Sequence, residues 1–297
     1  MTLETFEPDE GAVGLESVER LTRDIREAAR TLTREEARYL VGVYYSTQEQ
    51  RIRIRAQERE AAKAGTPNAL LRYMGDQYEV LEHNMKRALQ AFAEGHEVGR
   101  WSLSIKGIGP VIAAGLIAHI DMEHGGPLDP MTGVRGRVNT VGSIWRFAGL
   151  DPTVTWEKGK KRPWNAELKV LAWKAGESFV KVSGSEDAAY GQVYKHRKVL
   201  EMERNAEHAF ADQARESLTK RTYRDGTLAR AAYEEDMLPQ ARIHTRATRY
   251  AVKLFLSHWH HVAYESLFGE PPPKPYVITH LGHADYIAPP NWPMPAE

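Results

Sequence analysis

Three groups of residues in this chain have types and spacings that could do chemistry. The first is Ile105-Lys106-Gly107-Ile108-Gly109-Pro110-Val111, where two glycines flank one apolar residue and a proline takes the place of a helix's first residue. Such a turn delivers a helix N-terminus. The outward amides of Gly107, Ile108, Gly109 and Val111, with the positive end of the helix dipole and Lys106 beside them, would form an anion site suited to one phosphate. In the second group, Trp156 and Trp164 bracket Lys158-Gly159-Lys160-Lys161-Arg162-Pro163, so that cations engage phosphates while flat rings stack on bases or sugars. The third group is His280, His283 and Asp285, with His261 or His258 completing a shell for zinc or another divalent ion. With one coordination position left open, that ion could support hydrolytic nuclease chemistry.

Each group also has a plain reading. A Gly-x-Gly turn between apolar helices can be packing alone, a basic run in a loop can be a solvated face, and the histidines can order a proline-rich tail by bonding backbone carbonyls. Asp121, Glu123, His124 and Asp129 make a second acidic grouping that reads more simply as a solvated helix end. Tyr190, Tyr194 and Lys195 fall at helical spacing and read as packing plus a surface cation. Among hydroxyls, Thr153 and Thr155 follow the basic patch's entry, and Thr155 is the candidate nucleophile, although no base lies within sequence reach.

These residues must be positioned by helices. Thr33-Arg34-Glu35-Glu36 fits a capping box, followed by a helix into the charged run 51–63, which Gly65-Thr66-Pro67 breaks. Leu71, Tyr78, Leu81, Met85, Leu89 and Phe92 mark the apolar stripe of a second helix, and the pair could form an antiparallel hairpin or an intermolecular coiled coil. Further helices are expected over 111–120, 141–150, 165–182, 186–221, 228–237 and 242–267. No segment alternates like a strand, so the expected fold class is mostly α. The expected organisation is an N-terminal helical or coiled-coil region over 1–98 with a disordered acidic lead, a hairpin-bearing domain over 99–265, and a proline-rich tail over 266–297.

Composition narrows the partners. The 297 residues carry 40 basic and 40 acidic side chains, so any polyanion surface has to be local. Between Met131 and Trp173 such an excess exists: Arg135, Arg137, Arg146, Lys158, Lys160, Lys161, Arg162 and Lys169 face only Asp151, Glu157 and Glu167. The absence of cysteine excludes disulfides and thiolate metal sites. The acidic start is unlike a secretory leader and no apolar run spans a bilayer, so the expectation is a cytoplasmic protein without a membrane partner.

In order, the hairpin, Arg146-Phe147-Ala148-Gly149-Leu150-Asp151-Pro152, the basic loop, Trp164-Asn165-Ala166-Glu167-Leu168-Lys169, Tyr190 to Lys198, and Ala247 to Leu256 resemble the C-terminal half of the IS-one-ten-type insertion-sequence transposases. The likeness covers roughly residues 70 to 265, with an apparent insertion near 199–241. It implies a DNA-engaging scaffold from a mobile element or phage. It does not carry over that family's catalysis. The residues before the hairpin show no strand-borne carboxylate set of a RuvC-like domain, and Thr153-Val154-Thr155 stands where the family places its serine. The expectation is therefore a protein that binds DNA, or structured RNA, through Lys106 to Val111, Arg135, Arg137 and the basic loop from Trp156 to Trp164. It would be a homo-oligomer through its N-terminal helices and have no certain cofactor. The alternatives are an active recombinase or metal-dependent nuclease, and an oligomeric structural protein.

Overall fold

The computed structural model describes residues 18–273 and 287–295. Among these, eleven α-helices form and no strand beyond one isolated bridge, between Leu128 and Arg135. The fold class is mostly α, as the sequence implies.

Helices α2 (Arg34–Lys63) and α3 (Ala69–Glu94) pack side by side, after a short α1 (Arg23–Ala28) that the sequence pattern does not announce. Thr33 caps α2 with the full reciprocal capping box, its hydroxyl accepting from the Glu36 amide while the Glu36 carboxylate accepts from the Thr33 amide. The pair is antiparallel within the one chain. Arg51 meets Glu82 at 2.6 Å, Arg55 meets Asp76 at 2.6 Å and Arg72 meets Glu58 at 3.3 Å, so position rises along one helix as it falls along the other.

Helix α4 (Glu97–Ser104) and helix α5 (Pro110–His119) follow, joined by the glycine turn. Apolar on all sides, α5 can only be central, and Val111 and every residue from Ala113 to His119 are buried. It is covered on one side by α2 and α3 and on another by α7 (Ala166–Val182). Gly115 allows that second contact, because a Cβ there would lie 2.7 Å from Leu171 Cδ2. Helix α7 then packs on α11 (Gln240–Phe268) through Gly176, whose added Cβ would lie 2.6 Å from Thr248 Cγ2 and 2.9 Å from Val252 Cγ2. Between these helices, Trp101 stacks on Phe255 with ring centres 5.9 Å apart, and Phe179 stacks on Tyr190 at 5.0 Å.

A single buried cluster runs from Ala37 to Tyr264 and so crosses the expected boundary at residue 98. A second, smaller cluster of Phe210, Ala214, Tyr233, Leu238 and Ile243 comes almost wholly from the expected insertion. The continuous helix expected over 186–221 is two helices, α8 (Ala189–Ala206) and α9 (Ala211–Lys220). His208 takes a left-handed φ of 55° between them, which lets Phe210 turn into the smaller cluster. The remaining helices are α6 (Val141–Phe147) and α10 (Leu228–Glu234). Of the proline-rich tail, residues 287–295 return to their own chain: Trp101 Nε1 donates to the Pro290 carbonyl at 2.7 Å and Trp292 Nε1 to Glu265 at 2.8 Å. No helix among the described residues is long and apolar enough to cross a membrane.

Candidate nucleic-acid interface

The glycine turn forms where expected, but its two glycines are not equivalent. Gly107 has φ +102°, a conformation that L side chains rarely adopt, and its face lies against Val182, Ser178 and Phe179 at the C-terminal end of α7. Ser178 Oγ donates to the Gly107 carbonyl at 2.5 Å and locks the turn in place. Gly109 caps α5 with an ordinary φ of −96° and open space where a Cβ would stand. The amides of Gly107, Gly109 and Val111 have no acceptor among the described residues. Ile108 corrects the expectation, since its N–H is bonded to the Ile105 carbonyl at 2.9 Å and offers nothing to an anion. Lys106 reaches Asp187 at 2.8 Å and Ser185 at 2.6 Å, so its charge is already balanced.

The basic loop stands at the other end of α7. With 17 residues at about 1.5 Å each, that helix separates loop and turn by about 25 Å. One phosphate cannot bridge them. Trp156 Nε1 donates to the Lys160 carbonyl at 2.7 Å and curls the loop, while Arg162 lies 5.6 Å from the Trp156 ring centre. Lys160 pairs with Glu157 at 2.8 Å. Lys158, Lys161 and Arg162 are exposed and form no ion pair among the described residues. The loop returns to the fold where the Asn165 amide donates to the Phe147 carbonyl at 2.9 Å, and Asn165 then caps α7.

Around that junction the structure assembles cations from four segments, α6, the basic loop, α7 and α11 (Gln240–Phe268). Gly149, at φ +65°, has no side chain to collide with Trp164 and Lys169, which a Cβ would approach to 3.0 and 2.9 Å. Lys169 Nζ sits 4.1 Å from the centre of the Trp164 ring. From α11, the Lys253 carbonyl accepts from Trp145 Nε1 at 3.1 Å while Lys253 Nζ lies 3.9 Å from the Trp145 ring centre. Burial lowers the pKa of Lys169, and the charges of Arg249 and Arg162 lower it further. Burial likewise lowers that of Lys253, with Asp151 opposing and Arg249 adding to the effect. Asp151 is held below the usual carboxylate range by hydrogen bonds from the Thr153 hydroxyl and amide, then by Arg146 and Lys253. Arg146 and Lys253 thus act on Asp151, Arg249 acts on both Lys253 and Lys169, and Arg162 acts on Lys169, and none of the five cations forms an ion pair among the described residues.

Arg249 and Lys253 are the residues that sequence reasoning left unassigned. A signal existed: Arg242, Arg246, Arg249 and Lys253 recur at spacings of four, three and four, one stripe of a helix. The first two are committed elsewhere, Arg246 to the buried Glu201 at 2.7 Å and Arg242 to Ser217 at 2.7 Å. Arg135 and Arg137 are held away from the loop, Arg135 donating to the Gly126 carbonyl at 2.9 Å and Arg137 pairing with Glu270 at 3.4 Å over the Phe268 ring.

His280, His283 and Asp285 lie outside the described residues. Among the described ones, no three His, Asp or Glu side chains gather as a metal site. His258 is committed on both sides, its Nδ1 to the Tyr190 hydroxyl at 2.7 Å and its Nε2 to the Ile287 carbonyl at 2.9 Å. It is a packing residue. His260 bonds the Val138 carbonyl at 2.7 Å, and His261 lies 3.2 Å from Glu265. Thr155 is exposed and makes no contact with a base among the described residues. No family model, curated protein or solved structure matches the chain.

Proposed function

We propose that the protein binds nucleic acid, DNA first, through phosphate contacts by Arg146, Arg162, Lys169, Arg249 and Lys253. The supporting observation is that cations from α6, α7, α11 and the basic loop converge with Asp151 as their one opposing carboxylate and form no ion pair among the described residues, at the expense of two lysines partly stripped of water. Mutual repulsion of this kind destabilises a fold, and a polyanion removes it while releasing its own counterions. Lys158 and Lys161 extend the surface, and the exposed Trp156 supplies a ring for stacking. The free amides of Gly107, Gly109 and Val111 provide a second contact at the far end of α7. These contacts read the backbone and do not select a sequence.

On this reading the likeness to IS-one-ten-type transposases is that of a DNA-engaging scaffold without the family's nucleophile. The test is a mobility shift with duplex, single-stranded and junction substrates. Binding that weakens steeply with salt and falls when Lys169 and Arg249 become Gln supports the proposal, and binding indifferent to both overturns it.

A further inference from the structure

A cavity of about 430 Å³ opens at the opposite end of α5 from the glycine turn, between the first turns of α2, the C-terminal end of α5, the segment that follows it and α6. Its charged and imidazole lining is Arg34, Glu35, Arg38, His119, Asp121 and Arg135, with the Ser143 hydroxyl beside them. Three polar atoms there are buried with no hydrogen-bond partner: Arg34 Nη2, Arg38 Nε and His119 Nδ1. Buried donors without acceptors are uncommon in folded proteins and need a reason. At 6% exposure, His119 is more than nine-tenths buried, and its other nitrogen lies 3.8 Å from Glu167, too far for a hydrogen bond.

The charges in the cavity do not cancel. Arg34 and Arg38 stand one helical turn apart on one face of α2. Asp121 Oδ1 pairs with Arg34 at 3.0 Å and also accepts the amides of Glu123 and His124, so that oxygen is occupied. Arg38 donates one nitrogen to the Ala118 carbonyl at 2.9 Å and meets no carboxylate, and Arg135 touches only the Gly126 carbonyl. Glu35 is exposed at the rim. Burial, then Arg38, holds His119 below the ordinary histidine range, so its ring is neutral and offers one N–H. The space is roughly a dozen times the share of one liquid water, too large for a single bridging molecule to explain the orphaned donors.

We infer that this cavity is a binding site for a compact oxyanion of the phosphate-monoester class, held by Arg34, Arg38, Arg135 and the His119 imidazole N–H. Planar guanidinium forks match phosphoryl oxygens, and three guanidinium groups against the carboxylates of Glu35 and Asp121 leave a net positive lining that favours an anion over a neutral group. The volume fits a phosphoryl group with a nucleoside-sized body attached. The phosphoryl group could come from a small molecule or from the 5′ end of a nucleic-acid strand.

The test uses the full chain with inorganic phosphate, a nucleoside 5′-monophosphate and matched oligonucleotides with 5′-phosphate or 5′-hydroxyl ends. Expected are a shift of the His119 side-chain ¹⁵N resonances on adding phosphate and calorimetric binding of the monophosphate. Arg38→Gln should weaken that binding by about 10- to 100-fold, the loss of one charge-assisted hydrogen bond. Arg135→Gln, at an exposed position, should weaken it without affecting the fold. A preference for the 5′-phosphorylated strand assigns the site to a polymer end, and equal affinity for the free monophosphate assigns it to a small molecule. Either supports the site. Unmoved His119 resonances in the unmodified chain, or binding that survives Arg135→Gln in a folded protein, would overturn it.

Discussion

Replacing Lys169 and Arg249 by Gln removes two of the five unpaired cations at the α6–α7–α11 junction without removing the side-chain bulk that packs on Trp164. If all five contact phosphates, the slope of log affinity against log salt is about −0.9 for each contact, or about −4.5. Raising salt from about 50 to about 200 mM then weakens binding about 500-fold. With three contacts left, the slope is about −2.7 and the same change weakens binding only about 40-fold. Fluorescence anisotropy of a labelled duplex across that salt range reads both slopes directly. A matched control, Arg53→Gln with Lys63→Gln, removes two cations from α2 that pair with Glu49 and Glu60, and should leave the slope unchanged. Equal slopes for the unmodified chain and the Lys169/Arg249 variant would refute the reasoning, because affinity alone can fall through misfolding but the slope counts phosphates.

Gly107→Ala should cost about 1–3 kcal/mol by urea unfolding, since φ is +102° there and Val182 lies 3.2 Å from the new Cβ, whereas Gly109→Ala should leave the unfolding midpoint unmoved. Gly176→Ala should cost about 1–3 kcal/mol by forcing α7 from Thr248 and Val252, and should weaken DNA binding by separating Lys169 from Arg249. Asp151→Asn keeps the side-chain acceptor for the Thr153 amide but removes the opposing charge, so affinity for duplex should rise about two- to five-fold. Burial pushes His258 down to about 4, so the unfolded chain takes up a proton from about pH 6.5 that the fold refuses. The contribution of its neutral form is complete above that pH and is lost as pH falls toward 4, amounting to ~3 kcal/mol. His258→Gln, which does not titrate, should flatten the acid side of the unfolding curve.

Local signals survived into the fold where they were self-contained. Thr33 with Glu36 and Gly65 as a break each act within a few residues, and each is found where the text of the chain puts it. The break at His208 was not legible, because a helical run of mixed polar residues carries no glycine or proline there. It is tertiary burial of Phe210 that turns the chain. The candidate site divides in the same way. Lys158 to Arg162 could be found as a run, but Arg249 and Lys253 join them only because Gly176 lets α11 lie against α7, a contact no spacing announces. The separation of the turn from the loop was likewise invisible, since 40-odd residues of sequence say nothing about which end of α7 each will meet.

A chain of zero net charge can carry such a surface because many of its carboxylates are paired elsewhere. Along α2 and α3 the acids are consumed in ladders, Glu58, Asp76 and Glu79 around Arg55 alone, and Glu82 with Arg51. Arg197 and Arg246 converge on the buried Glu201. Each one-to-one pairing removes one charge of each sign from the long-range field, so the residual field is set by the charges that have no partner. Unpaired cations stand elsewhere among the described residues too, Lys181, Lys195 and Lys198 among them, but at the α6–α7–α11 junction the charges of Arg162, Lys169, Arg249 and Lys253 act on one another, with the loop beside them. A surface potential of this origin falls off within about 8 Å at physiological salt, so it acts on a ligand already near contact and favours stiff, densely charged polymers over dilute counterions.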